Sequence, residues 1–295
     1  MKVTGIGGGH GLAVTLRAAR TYADDVQAVV TVADDGGSSG RLTRTLGIPP
    51  PGDIRNCLVA LSDETNLAEV YQHRFSSGPL TGHSVGNLII AALTELTGSF
   101  SEAVAEAGRL LGAHGAVHPA TNDLVTMRAR VEGKVVKGQV AVAQTEGRIQ
   151  AVYIKPRDPE PNPAAVQAVL DADQVILGPG SLFTSLIATL LVPRLRAALR
   201  DTDAARVFVL NNRMQKGETQ GLDATAHVEA LLAHTGPTSV DCVVVQSPTL
   251  RGDGIDVDLE ALEALGLNVI ESDLTNAEGG HDPERLGKVL SDLVE

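Results

Sequence analysis

The sequence contains no tryptophan, and only four phenylalanines and three tyrosines. Its core must therefore rest on Val, Leu, Ile and Ala, a composition that suits a parallel sheet covered by helices on both faces. So few aromatics also argue against a base-stacking platform for single-stranded nucleic acid. Positive charge is the second deficit. The formal net charge is −12 and no basic run stands out, whereas a duplex-binding surface needs clustered Lys and Arg. Cysteine is the third. Cys57 and Cys242 lie far apart, match neither a disulfide framework nor a zinc spacing, and read as small buried apolar residues. Long hydrophobic runs are also missing. No window reaches the roughly 18 apolar residues of a membrane span, and Met1 to Gly11 lacks the basic segment and apolar stretch of a signal peptide. These absences predict a cytoplasmic protein with neither nucleic acid nor membrane as its main partner.

What is present reads as globular. The 295 residues are 43% hydrophobic and 20% charged, enough for one large domain or two small ones. Lys2 to Ile6 is a short buried strand, followed by glycines at 7, 8, 9 and 11 and by Leu12, Thr15, Leu16 and Ala19 at helical spacing. Ala28 to Ala33 reads as a second strand. This strand–loop–helix–strand order opens a doubly wound sheet. Asp53, after a Pro-Pro-Pro-Gly breaker, is placed to cap a helix carrying Ile54, Cys57, Leu58 and Leu61. Leu88 to Leu93 predicts another helix. Between about 120 and 155 the pattern changes to short alternating runs, among them Val140 to Val142, which predict an antiparallel β insert. Strands return at Gln174–Leu177, Arg206–Leu210, Cys242–Val245 and Asn268–Ile270, with helices at Pro163–Leu170, Val228–Ala233 and Asp282–Val294. The expected fold class is α/β: one Rossmann-like domain over 1–295, with a doubly wound, mostly parallel sheet and a small antiparallel β insert.

Chemistry is expected at three strand ends. The loop Gly7-Gly8-Gly9-His10-Gly11 lets a phosphate approach backbone amides at the positive end of a helix. It is neither G-x-G-x-x-G, because the third glycine position holds Leu12, nor a Walker A sequence. Within it, His10 is a candidate phosphate donor or proton carrier. Asp34 and Asp35 end the second strand, where acids bind ribose hydroxyls or hold Mg²⁺ beside a phosphate. Gly36, Gly37, Ser38 and Ser39 then form a possible anion nest. Gly178-Pro179-Gly180-Ser181 repeats the logic, and Ser181, Thr184 and Ser185 are candidate phosphate donors. The helix cap is the alternative reading there. Asp53, Arg55 and Asn56 start one helix together, with Arg55 suited to bidentate phosphate binding or to a surface ion pair. His83 and His281 sit beside glycines. The pair His114 and His118 has a spacing that suits a metal only if helical, which Gly115 and Pro119 oppose.

The segments GGGHG at 7–11, TVADDGGSSGRL at 31–42, PPGDIRNCLVALSD at 50–63, GHSVGNLIIAAL at 82–93 and LGPGSLFTSLIATLLV at 177–192 together resemble the YvcK/GlmR family of gluconeogenesis factors, in the same order and over nearly the whole chain. A more distant resemblance is to CofD, the phospholactate transferase of deazaflavin coenzyme synthesis. The resemblance implies a Rossmann-like fold that binds UDP-sugars such as UDP-N-acetylglucosamine. It also implies a regulatory role in gluconeogenic growth, cell-wall precursor supply and cell shape. It places ligand contacts at the loops above, including His83 and Asn87 of the GHSVGN segment and Asn211. Two departures are visible. The family's Cys-Asn-Leu-Met-Thr-Gln-Pro-Gly-Glu-Thr-like stretch here reads Leu210-Asn211-Asn212-Arg213-Met214-Gln215-Lys216-Gly217-Glu218-Thr219. Gly280 stands where an Arg commonly precedes His281-Asp282.

Three functions follow as expectations. The first is a UDP-sugar-binding regulator, working with a protein partner and forming a homo-oligomer, since no complete catalytic constellation is recognisable. The second is a CofD-like, Mg²⁺-dependent phospholactyl transferase using a guanosine nucleotide donor, for which Asp34, Asp35 and Asp53 supply acids. The third is a nicotinamide-dependent oxidoreductase. The broken dinucleotide motif disfavours it and leaves NAD as a look-alike ligand.

Overall fold

The computed structural model describes residues 1–63 and 65–294. Among the described residues there are ten strands: β1 (Lys2–Gly7), β2 (Asp25–Val30), β3 (Ala116–Pro119), β4 (Thr126–Val131), β5 (Lys134–Lys137), β6 (Ile149–Lys155), β7 (Gln174–Leu177), β8 (Ala205–Val209), β9 (Cys242–Gln246) and β10 (Asn268–Ser272). Seven of them form one sheet in the order β10-β9-β8-β7-β1-β2-β3, and every pairing in it is parallel. The α/β expectation is met.

The alternation of strand residues explains the layering. Val207 and Val209 of β8 and Val244 of β9 enter one core, together with the helices Gly9–Ala19, Gly52–Leu61 and Phe100–Leu111. Phe208, Val243 and Val245 enter the other, with residues of the helices Pro163–Leu170 and Ala224–Thr235. Successive side chains on a strand point to opposite faces, so apolar runs in a parallel sheet feed both layers at once. Cys57 and Cys242 are free and buried, as their surroundings in sequence suggested.

The insert is a three-stranded antiparallel sheet, β5-β4-β6. Met127 and Ala129 of β4 and Val152 and Ile154 of β6 share the second core with the main sheet. Two readings need correction. The second strand was expected at Ala28–Ala33 but runs from Asp25 to Val30, because its partner β1 ends at Gly7, opposite Val30. Thr31, Val32 and Ala33 remain buried beyond the last pairing. Val140–Val142, read as strand, lies in the short helix Gln139–Ala143. Among the described residues, no single helix is long and apolar enough to cross a membrane.

Candidate functional site

The strand order reverses between β1 and β7. From β1 the chain builds outward through β2 and β3; from β7 it builds the other way through β8 to β10. Open α/β sheets bind ligands in the crevice at such a switch point, outside the carboxyl ends of the strands. The loops leaving β1 and β7 meet here. A Cβ on Gly11 would stand 2.3 Å from the Pro179 carbonyl oxygen, so only glycine permits this approach. Thr15, one turn on, donates its hydroxyl to the Gly178 carbonyl at 2.6 Å.

A polar cavity of about 320 Å³ occupies the crevice, lined by Gly8, Gly9, His10 and Gly11, by Thr31, Asp34 and Asp53, and by Gln139, Gly180, Ser181, Thr184, Ser185 and Gln215. The helix Gly9–Ala19 starts at its edge and its N-cap residue Gly8 offers no side chain, so the amides of His10 and Gly11 and the positive dipole end are available to an anion. Gly9 holds φ at +63°, a conformation that β-branched side chains resist. His10 is exposed at the rim.

Asp53 does not cap its own helix. That helix begins at Gly52, with Pro51 in the capping position. The Asp53 carboxylate instead reaches the Gly9 amide, and burial together with the nearby charge of Asp34 pushes its pKa up to about 7. Asp34 is also raised, by burial first and by Asp35 to a lesser degree, while hydrogen bonds from the Gly36 amide and Ser39 work the other way. The Gly36 amide lies 2.9 Å from the Asp34 carboxylate. Two acids held above their ordinary range beside free amides suit a divalent cation bound with a diphosphate. Mg²⁺ commonly takes one or two carboxylates and completes its shell with phosphate oxygens and water. Among the described residues, no group of three or more His, Cys, Asp or Glu forms a metal cage. His114 and His118 do not converge: His114 bonds Asp63 at 3.1 Å and His118 bonds Gln27 at 2.9 Å.

The other residues singled out in the sequence are placed as follows. Asp35 turns away from the cavity and accepts hydrogen bonds from the amides of Gln139 and Val140 at 3.1 and 3.0 Å. It thereby fixes the insert helix whose first residue, Gln139, lines the cavity. Asn211 clasps Gly180 in both directions, accepting from its amide at 2.8 Å and donating to its carbonyl at 2.7 Å. Gly36 and Gly37 open the helix Gly37–Leu46, and Ser39 within it accepts from the Gly52 amide. Ser38, Arg55, Asn56, His83 and Asn87 gather outside the cavity in a hydrogen-bonded cluster of their own.

Thr31, Gln139 and Gln215 line the cavity without having been marked in the sequence. Gln215 lies within the altered stretch 210–219, the one signal that pointed to it. In that stretch Glu218 is buried and accepts from the amides of Phe183 and Thr184 at 2.6 and 2.9 Å. It thus caps the π-helical segment Leu182–Ile187, a rare conformation found at functional sites. A second cavity, of about 760 Å³, opens at the far end of the insert helix, between the segment from Ala143 to Ile149 and the loop from Lys216 to Ala226.

Comparison with known proteins agrees with the fold. Residues 3–275 match the family model described as 2-phospho-L-lactate transferase CofD. The chain is 41% identical to the gluconeogenesis factor of Bacillus subtilis, over 100% of this chain and 98% of that protein. It is 40% identical to the gluconeogenesis factor of Halalkalibacterium halodurans, over 90% of this chain and 86% of that one. A crystal structure of a UPF0052-family protein from Bacillus halodurans superposes with a TM-score of 0.94 at 36% identity, covering 98% of each chain.

Proposed function

The chain belongs to the CofD-related family of gluconeogenesis factors, and from that premise we propose that it is a nucleotide-sugar-binding regulator acting in the cytoplasm. One observation carries the reading. The loops leaving β1, β2 and β7 converge on a single polar cavity at the switch point, with helix amides, hydroxyls and two acids facing the same space. The smaller cavity suits a diphosphate with Mg²⁺. At about 320 Å³ it lies at the low end of the size of ligand sites. The rest of a UDP-sugar extends past the insert helix into the larger cavity. The regulated processes are carbon metabolism, cell-wall precursor supply and cell shape, with the ligand state read by a protein partner.

Calorimetry with UDP-N-acetylglucosamine, with and without Mg²⁺, tests the proposal. Saturable heat is expected, and no heat at millimolar ligand overturns it. Gly9→Val is expected to abolish binding while the protein still folds, because the new side chain must adopt a positive φ at the first helical amide.

A second reading is favoured by Asp34 and Asp53 sharing the cavity. These two acids would hold a Mg²⁺ ion, and a transferase of the CofD kind would use them in that way. When bound, the ion would supply charge neutralisation on the diphosphate. The protein groups would orient the donor through the Gly8–Gly11 amides and through Ser181, Thr184 and Ser185. Turnover of a guanosine-diphosphate donor with a deazaflavin acceptor would favour this reading over the regulator.

A further inference from the structure

The loop between the helices Asn66–Gln72 and Val85–Thr97 folds back on itself. Phe75 donates its amide to the His83 carbonyl at 3.0 Å, and Gly82 donates to the Phe75 carbonyl at 2.8 Å. The turn of this loop gathers positive charge in a chain whose net charge is −12. Arg41 donates to the Thr81 carbonyl at 2.8 Å and Arg74 to the Gly82 carbonyl at 2.5 Å, so both guanidinium groups are tied to the residues just before His83, close enough for their charge to act on it. Each uses one of its five N–H donors in these bonds. Beneath them lies Arg55, which is 5% exposed. It donates to Ser84 at 2.5 Å, Asn87 at 2.8 Å and Asn56 at 2.7 Å, all neutral acceptors, and its Nε has no partner among the described residues. Ser38 joins the floor to the rim, meeting His83 Nδ1 at 2.9 Å and the Asn87 amide at 3.1 Å.

A buried guanidinium is expensive unless an anion accompanies it. Here no salt bridge to Arg41, Arg55, Arg74 or His83 exists among the described residues. Asp53 is the acid whose charge reaches Arg55, and it lines the glycine-loop cavity instead. His83 is held below the usual histidine range by burial and by Arg41 and Arg74. An anion seated among these groups would relieve that mutual repulsion.

We propose that Arg41, Arg74 and His83, over a floor of Ser38, Arg55 and Asn87, form a second anion site that takes free phosphate or a compact phosphomonoester. It is separate from the glycine-loop cavity but joined to it through adjacent residues: Ser38 serves the basic cluster, and Ser39 bonds Asp34 and Gly52 beside the cavity. The donor set fits a dianion of this size, because guanidinium and imidazole N–H groups make charge-assisted bonds to phosphate oxygens. The site does not depend on the nucleotide-sugar reading.

The test is a thermal-shift and calorimetric titration with inorganic phosphate, and in parallel with glycerol 3-phosphate, at constant ionic strength. It uses wild type, Gly9→Val and the double variant Arg41→Gln/Arg74→Gln. Saturable stabilisation by at least one probe is expected in wild type and in Gly9→Val, because a ligand that binds only the folded state raises its melting point. The double variant is expected to bind about tenfold or more weakly. A response that Gly9→Val abolishes and the double variant retains overturns the proposal, as does no response at all. If the double variant fails to fold, the imidazole resonances of His83, assigned with His83→Gln, provide the decision in wild type. They should move saturably with the probe, and their failure to move overturns the site.

Discussion

Asp53 shows how one residue can oppose stability while serving a site. Its carboxyl is pushed up to about 7, whereas in an unfolded chain it would titrate near the ordinary aspartate value of about 4. Between those values the folded state holds the extra proton. Stability therefore falls as pH rises through that window, and the full penalty stands above it. Asp53→Asn is accordingly expected to melt higher than wild type at pH 8, with the advantage shrinking towards pH 4, and to lose the Mg²⁺-dependent part of ligand affinity. Melting curves at the two pH values check the first half, and equal melting at pH 8 would contradict the assigned cause. At this scale the sequence was informative where glycines and acids end strands, because Gly8 to Gly11, Asp34 and Ser181 owe their place in the cavity lining to local backbone and strand position. Thr31, directly after β2, was passed over beside the more conspicuous acids, Gln215 was marked only by the altered stretch around it, and Gln139 was not legible, since the packing of the insert alone carries it to the cavity. Asp35 looked identical to Asp34 in sequence. Their side chains part because one follows its own loop back to Gly36 and the other meets the insert.

The insert helix Gln139–Ala143 is the element that most departs from its sequence pattern. Three apolar residues in a β-rich stretch read as strand, yet the two amides opening the segment find a carboxylate from residue 35, and that capping selects the helix. Five residues cannot hold a helix by propensity alone. Asp35→Ala is therefore expected to cost about 1 kcal/mol in denaturant unfolding, the usual value of a lost cap. It should also weaken nucleotide-sugar binding without touching the ligand, because Gln139 loses its fixed position. Asp35→Asn should recover part of both effects. Unchanged affinity in Asp35→Ala would show that the insert helix plays no part in the site. Six of the seven strands of the main sheet, by contrast, were legible, the inner ones because their Val- and Ile-rich runs are largely buried; β3 was not read, because four half-buried residues, Ala-Val-His-Pro, at the sheet edge carry too short an apolar signal. The end of β2 was misplaced because the apolar run continues past the last residue with a neighbour to pair.

At the scale of the molecule, burial lowers His118, His227 and His281 as well as His83. His281 is lowered to about 4 while it bonds the Leu210 carbonyl at 3.0 Å. A histidine depressed in this way contributes fully above about pH 6.5, its unfolded value, and that contribution is lost as pH falls towards the folded one. His281→Gln, which keeps a donor for Leu210, should therefore lose on the order of 2 kcal/mol less stability than wild type between about pH 6.5 and pH 4. Identical acid-unfolding curves would rule this out. The meeting of the β1 and β7 loops carries a further consequence, for folding kinetics. Thr15 and Gly178, whose bond closes the crevice, stand 163 positions apart in the chain. Contacts of such sequence separation form slowly, because loop-closure entropy is lost before they can repay it. Neither half of the polypeptide contains both walls of the crevice. Ligand capture should therefore be the last property regained on refolding, later than the return of helical and sheet signals, and a nascent chain should gain it only after β7 has threaded in beside β1.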